Sequence, residues 1–170
     1  MTRPARPRPR PRPVPTPPLE RSFTYRFNVL RKGIDRQSAA GYLKEVGVSL
    51  SDGRCLAAIG RFAPLSIKEL ANRSHLNKSQ ASRAAQSLVD RGLVRKDGSP
   101  EDGRGVVLTL TAAGREAWNR TMRFVHERNQ EILGCLSDDE YATLSALLDR
   151  LIAHTLARDG AADEDTDEAP

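Results

Sequence analysis

The chain has 170 residues, of which 38% are hydrophobic and 29% charged, with a formal net charge of +5 and a pI of about 9.6. That length allows one domain with its own core, and the composition is that of a globular chain rather than a fibrous or low-complexity one. No stretch is apolar enough to form a membrane-spanning helix. Two cysteines, Cys55 and Cys135, are too few for a disulfide framework and form no CxxC pair, so a reduced, cytoplasmic protein is expected.

Residues 1–18, MTRPARPRPRPRPVPTPP, carry five arginines and no acid. Alternating prolines remove amide donors and push their predecessors into extended geometry, so this arm is predicted to be unstructured, in part polyproline II. It has no apolar run of the kind a secretory signal needs. Such an arm is either a solvated tail or a basic arm that follows phosphates or enters a minor groove. A first helix is predicted over about 20–46, with Phe23, Phe27, Leu30 and Ile34 on one stripe. "GVSLS" breaks it, and a short second helix is predicted to begin near Ser51. The third lies within "PLSIKELANRSHL", opened by a Ser66–Glu69 capping box.

The fourth helix is predicted between Asn77 as N-cap and Gly92 as stop. "LVRK" and "VVLTL", separated by the turn-rich "DGSPEDGRG", read as a β-hairpin with a long tip. A long fifth helix follows, capped by Thr111, with Trp118, Met122, Val125, Ile132 and Leu136 on a stripe. The sixth opens at a second capping box, Ser137–Glu140, and is rich in leucine: Leu144, Leu147, Leu148, Leu151 and Ile152. Residues 159–170 carry six acids and no base, and are predicted to be disordered. The body, 19–158, still holds 22 bases against 16 acids, so the basic balance is not the arm's alone and favours an anionic partner such as nucleic acid.

The fourth helix carries the functional signal. Wound at 100° per residue, it places Ser79, Ser82, Arg83 and Gln86 on one side and Ala81, Ala84, Ala85 and Leu88 on the other. The alanines let a neighbour approach closely. The opposite side is polar without the Glu and Lys of an ordinary solvated face, and its first half has no acid to repel phosphate.

Helix, short turn, helix and basic hairpin together make a winged helix-turn-helix, whose second helix lies in the major groove of double-stranded DNA. Ser79, Gln80, Ser82, Arg83 and Gln86 are then the candidates for reading base edges. Lys78 can neutralise a phosphate beside the helix N-terminus. Arg104, on the Gly-flanked tip, can reach the minor groove, with Asp102 orienting its guanidinium.

The stretch "LSIKELANRSHLNKSQASRAAQSLVDRGLVRKDGSPEDGRGVVLTLTAAGR" resembles the MarR family of bacterial transcriptional regulators. "SIKELA", S-x-x-S-R, "LVDRGLV" and the wing "SPEDGRG" followed by L-T-x-x-G carry the likeness, which covers roughly Tyr25 to Arg158. The resemblance implies a mainly α fold with a small β-hairpin wing, six helices and a two-fold homodimer. The DNA-binding lobe would be 66–110, and 19–48 with 111–158 would be the dimerisation helices. It implies a regulator, most often a repressor, on a near-palindromic operator. Asp102 and Arg104 match the family's wing Asp-x-Arg pattern. Many members carry a second arginine where this chain has Gly103. The dimer also has support from the residues, because the fifth and sixth helices are apolar over more surface than one small domain covers.

Family members commonly release DNA on binding a small, often aromatic, anion between the dimerisation helices and the DNA-binding lobe. Here Ser38 and Gly41 interrupt the core-facing row of the first helix, and Gly53 stands where many relatives have a bulky aromatic residue. Arg54 matches a common family arginine near that pocket and makes a fair carboxylate receptor, with Tyr42 or Asn129 adding a hydrogen bond. The alternative is close helix packing at Gly41 and Gly53, with Arg54 in a structural salt bridge. No cofactor or metal is expected: His75, His126 and His154 show no ligand spacing, and there is no Gly-rich phosphate loop or nucleophile–base–acid set. A winged-helix module for a protein partner, or a redox regulator using Cys55 or Cys135, are the alternative functions.

Overall fold

The computed structural model describes residues 17–98 and 106–164, with side chains described to residue 157. In chain order it contains a 3₁₀ turn at Leu19–Arg21, α1 Phe23–Gly41, a π-helical turn Tyr42–Val46, α2 Leu50–Phe62 and α3 Ile67–Ser74. After these come α4 Lys78–Asp90, β1 Val94–Gly98, β2 Val106–Leu110, α5 Ala112–Leu133 and α6 Asp138–Glu164. The mainly helical fold with a two-stranded hairpin agrees with the sequence reading.

The chain divides into two compact units, Met1–Gln37 and Ser38–Pro170. In the first, Phe23 and Phe27 stack one turn apart on α1, with ring centroids 5.8 Å apart, and Arg31 pairs with Asp35 at 3.3 Å.

The second unit is built around α2, which packs against α3, α4 and α5. Leu56 and Ile59 of α2 meet Leu70 of α3, Leu88 of α4 and Leu108 of β2 in a fully buried centre. The capping signals act as expected. Ser66 and Glu69 form a reciprocal box at the start of α3, and Asn77 and Gln80 form another at the start of α4. The second helix begins at Leu50, in agreement with a predicted start near Ser51. Ser49 is its N-cap, its Oγ accepting the amide of Asp52 at 3.1 Å. His75 and Gly92, at φ 54° and 68°, supply the left-handed residues that end α3 and turn the chain from α4 into β1.

The hairpin is antiparallel, with Val94 opposite Leu110 and Gly98 opposite Val106. Its sheet has a third participant that the sequence reading missed. Leu65 donates to and accepts from the Leu108 backbone, at 3.3 and 2.8 Å, tying the α2–α3 connection to the wing.

Thr111 caps α5, accepting the Gly114 amide at 2.9 Å and donating to the Gly92 carbonyl at 2.7 Å. Gly114 thereby lies under the Leu93 carbonyl, whose oxygen is 1.8 Å from where a Cβ would stand. Only hydrogen fits. Gly114→Ala is therefore expected to cost about 1–3 kcal/mol, since backbone rather than a flexible side chain must move. Urea unfolding should show it as a lower midpoint at unchanged slope.

Two expectations need correction. The predicted apolar stripe of α5 is not one outward face. Trp118 turns inward, its indole filling the hollow at Gly60 and its Nε1 donating to the Ala57 carbonyl at 3.3 Å, and Val125 also packs on the core, whereas Met122 is exposed. The indole needs both a glycine to lie against and a carbonyl to accept its proton, and α2 offers both. The sixth helix also continues to Glu164, into the stretch expected to be a disordered tail. Ala157, Ala161 and Ala162 are strong helix formers and extend the leucine-rich segment.

Candidate nucleic-acid interface

Along α4, Ala81, Ala84, Ala85 and Leu88 are buried, and Lys78, Ser79, Gln80, Ser82, Arg83 and Gln86 are exposed. The small buried residues let α4 lie close on α2 and α3 while its polar side faces outward. No acid lies in its first turn.

The exposed residues divide by what their side chains do. Gln80 is engaged in the cap, its Oε1 accepting the Asn77 amide at 3.1 Å. Gln86 is a brace: its Nε2 donates to Asp90 and its Oε1 accepts from Lys96 Nζ of β1, both at 2.6 Å. That leaves Lys78, Ser79, Ser82 and Arg83 as the outward groups, and Arg83 makes no ion pair or hydrogen bond among the described residues. Arg83 keeps all five donors in a planar fork suited to bidentate recognition of a base edge.

Lys96 is a cation the sequence reading passed over, held beside the helix by Gln86. The signal available was its position in β1 next to a helix with few charges. Asp102 and Arg104 lie outside the described residues.

The candidate effector residues are only partly brought together. Tyr42 meets Gly53, and the charge of Arg54 reaches its phenol. The Tyr42 ring comes within 2.4 Å of where a Gly53 Cβ would stand, and the Phe124 ring fills the corresponding space at Gly41. Tyr42 and Phe124 meet edge to face at 4.8 Å between centroids. Burial pushes the Tyr42 phenol above its ordinary pKa of 10.0, and the nearby positive charge of Arg54 partly offsets this. Ser38 is buried one turn before Tyr42. Asn129, in contrast, is exposed.

The rings of Tyr42 and Phe124 thus pack closely at Gly53 and Gly41. Phe124 is the participant missed from the sequence, and the gap at Gly41 was its only trace. Beside Phe124 opens a cleft of about 180 Å3 lined by Glu45, Arg120, Arg123 and Glu127.

Cys55 is fully buried, and burial pushes its thiol up to about 11, partly offset by a hydrogen bond with Ser74. It is a protonated thiol at neutral pH, poorly suited to redox sensing. Iodoacetamide at pH 7.5 should label the exposed Cys135 and spare Cys55, giving one adduct by intact mass under native conditions and two in urea. The folded thiol keeps its proton to higher pH than the unfolded one. Its contribution to stability is therefore complete below the ordinary pKa of 9.0 and is lost as pH rises towards 11.

A helix-turn-helix whose second helix presents an outward polar face, followed by a β-hairpin joined to the preceding loop, defines a winged helix-turn-helix DNA-binding protein. A MarR family model matches residues 46–105. The chain is 32% identical over 116 residues to the Thauera aromatica protein assigned as transcriptional regulator of the hcr operon, covering 68% of this chain and 70% of that one. It is 26% identical over 133 residues to the HTH-type transcriptional regulator BilQ of Clostridium symbiosum, covering 78% of this chain and 92% of that one. Among solved structures, a mutant of Escherichia coli MarR complexed with operator DNA superposes with a TM-score of 0.66 at 26% identity, covering 75% of this chain and 91% of that one. The chain belongs to the MarR family and is a DNA-binding transcriptional regulator.

Proposed function

We propose that this protein is a homodimeric repressor that holds a near-palindromic operator and is released from it by a small aromatic carboxylate. The observation that carries the DNA reading is the outward face of α4, where Ser79, Ser82 and Arg83 stand clear of internal partners on an alanine-backed helix. The operator complex of the related MarR supports the same use of the fold.

The dimer is supported by what stays uncovered. Described side chains of α6 are nearly all exposed, and they include Leu147, Leu148, Leu151 and Ile152, the last at 55%. In the other unit Phe23 is 63% exposed and Leu30 is likewise open. Apolar faces of this length call for a protein partner, and a second copy with the same faces is the simplest. For the effector, the support is that the positive charge of Arg54 acts on the buried phenol of Tyr42, which puts a cation in the neighbourhood of an aromatic ring.

The test is selection of duplexes from a random pool, followed by binding of the winner with and without sodium benzoate. An inverted repeat, bound by two copies and released by millimolar benzoate, is expected. Selection of no preferred sequence refutes the regulator reading of α4. A selected operator that benzoate does not release refutes the aromatic-acid effector.

A further inference from the structure

Three serines begin helices here with an acid three residues later, and two of the acids behave alike. Glu69 and Glu140 fold back onto the amides of their own N-caps, Ser66 and Ser137, at 2.7 and 2.9 Å. Asp52 does not. Its amide is held by Ser49, but its carboxylate reaches out of α2 and accepts the hydroxyl of Ser87 on α4 at 3.0 Å, 35 residues along the chain.

Asp52 is only 8% exposed, and no cation pairs with it among the described residues. A buried carboxylate needs a donor, and the N-terminal turn of α2 also favours its charge. Ser87 forgoes its usual bond to the carbonyl one turn back. Each group is thus committed to the other.

The place of this bond matters. The buried side of α4, which lies against α2 and α3, is otherwise formed by Ala81, Ala84, Ala85 and Leu88, apolar groups with no directional preference. Such a surface brings the helices close, and a directional bond adds a fixed point to that packing. Asp52–Ser87 is a side-chain hydrogen bond that joins α2 to α4 directly. Ser87 lies one helical turn beyond Arg83 and directly after Gln86. A reading side chain must be held to roughly 0.5 Å and 10–20° to address the intended base.

We propose that Asp52 is the positioning residue of the recognition helix: through Ser87 it fixes the rotation of α4, and so determines which base edges Ser82 and Arg83 address. This rests on the reading of α4 as the helix that contacts bases.

The experiment compares affinity for the selected operator with affinity for random duplex, in the full-length chain. Ser87→Ala should lower the ratio at least tenfold, with random-DNA affinity within twofold of wild type, since phosphate contacts tolerate a rotated helix. Ser87→Thr keeps the hydroxyl and Asp52→Asn keeps an acceptor, so both should hold the ratio within threefold. Adding Ser87→Ala to Asp52→Ala should lower the ratio no further than Asp52→Ala alone.

A role in stability alone would weaken selected and random binding together and lower the ratio little; that result overturns the proposal, as does an unchanged ratio in Ser87→Ala. A wild-type chain without sequence preference overturns the reading of α4 itself. A discriminating wild type beside an equally discriminating Ser87→Ala overturns only the role of Asp52.

Discussion

Replacing Leu148 and Leu151 together by glutamate is expected to yield a monomer and to weaken operator binding by about 10²–10⁴-fold, the advantage of linking two binding modules. The two leucines are 39% and 45% exposed and lie three residues apart on one side of α6. Buried against a partner, each would contribute apolar transfer energy; as glutamates they would place like charges across a two-fold axis in a desolvated interface. Glutamate is a good helix former, so α6 itself should persist, and circular dichroism checks that. Sedimentation equilibrium at micromolar concentration reads the assembly, and titration of operator and single half-site reads the binding. A dimer that survives both charges places the interface elsewhere. A monomer that binds the full operator as tightly as wild type removes the link between dimer and function.

Arg83→Ala should act differently, costing on the order of 1–3 kcal/mol at one base pair per half-site and relaxing preference there, with little change elsewhere in the site. Its guanidinium is exposed and has no partner among the described residues, so removing it disturbs nothing internal. Gln86→Ala makes the useful contrast. Both ends of that amide are engaged, with Asp90 and Lys96, so its loss should release Lys96 and weaken binding on all sequences. Competition against operators changed one base pair at a time separates the two patterns. If Arg83→Ala leaves every position's preference intact, the reading face lies elsewhere.

Much of the architecture was legible because its signals are local. The caps at Ser66, Asn77, Thr111 and Ser137 and the stop at Gly92 act through residues within one turn, so the sequence carries them directly. The alternation in Val106–Leu110 identified the second strand for the same reason. What escaped depends on pairs far apart in the chain. Nothing near Leu65 marks it as a sheet partner of Leu108, and nothing near Trp118 says that Gly60 and the Ala57 carbonyl await it. At the site, exposure of α4's polar face followed from periodicity. The engagement of Gln80 and Gln86 did not, since glutamine has the same donors and acceptors whether it reads a base or braces a helix. The hollow expected at Gly53 was a true absence of side chain, but sequence alone does not reveal what fills it.

The filling of that hollow by Tyr42 has a consequence for dose. If the proposed aromatic effector enters the space at Gly53, it must compete with a ring already packed there, which is present at a high effective concentration. The observed dissociation constant is then the intrinsic one divided by the fraction of time the ring is swung aside. Sensitivity to an inducer would be set less by contacts with the inducer than by how firmly Phe124 and Gly53 hold Tyr42 in place. On that proposal, trimming the ring's packing would lower the threshold concentration of the signal, and tightening it would raise the threshold, with Arg54 unchanged.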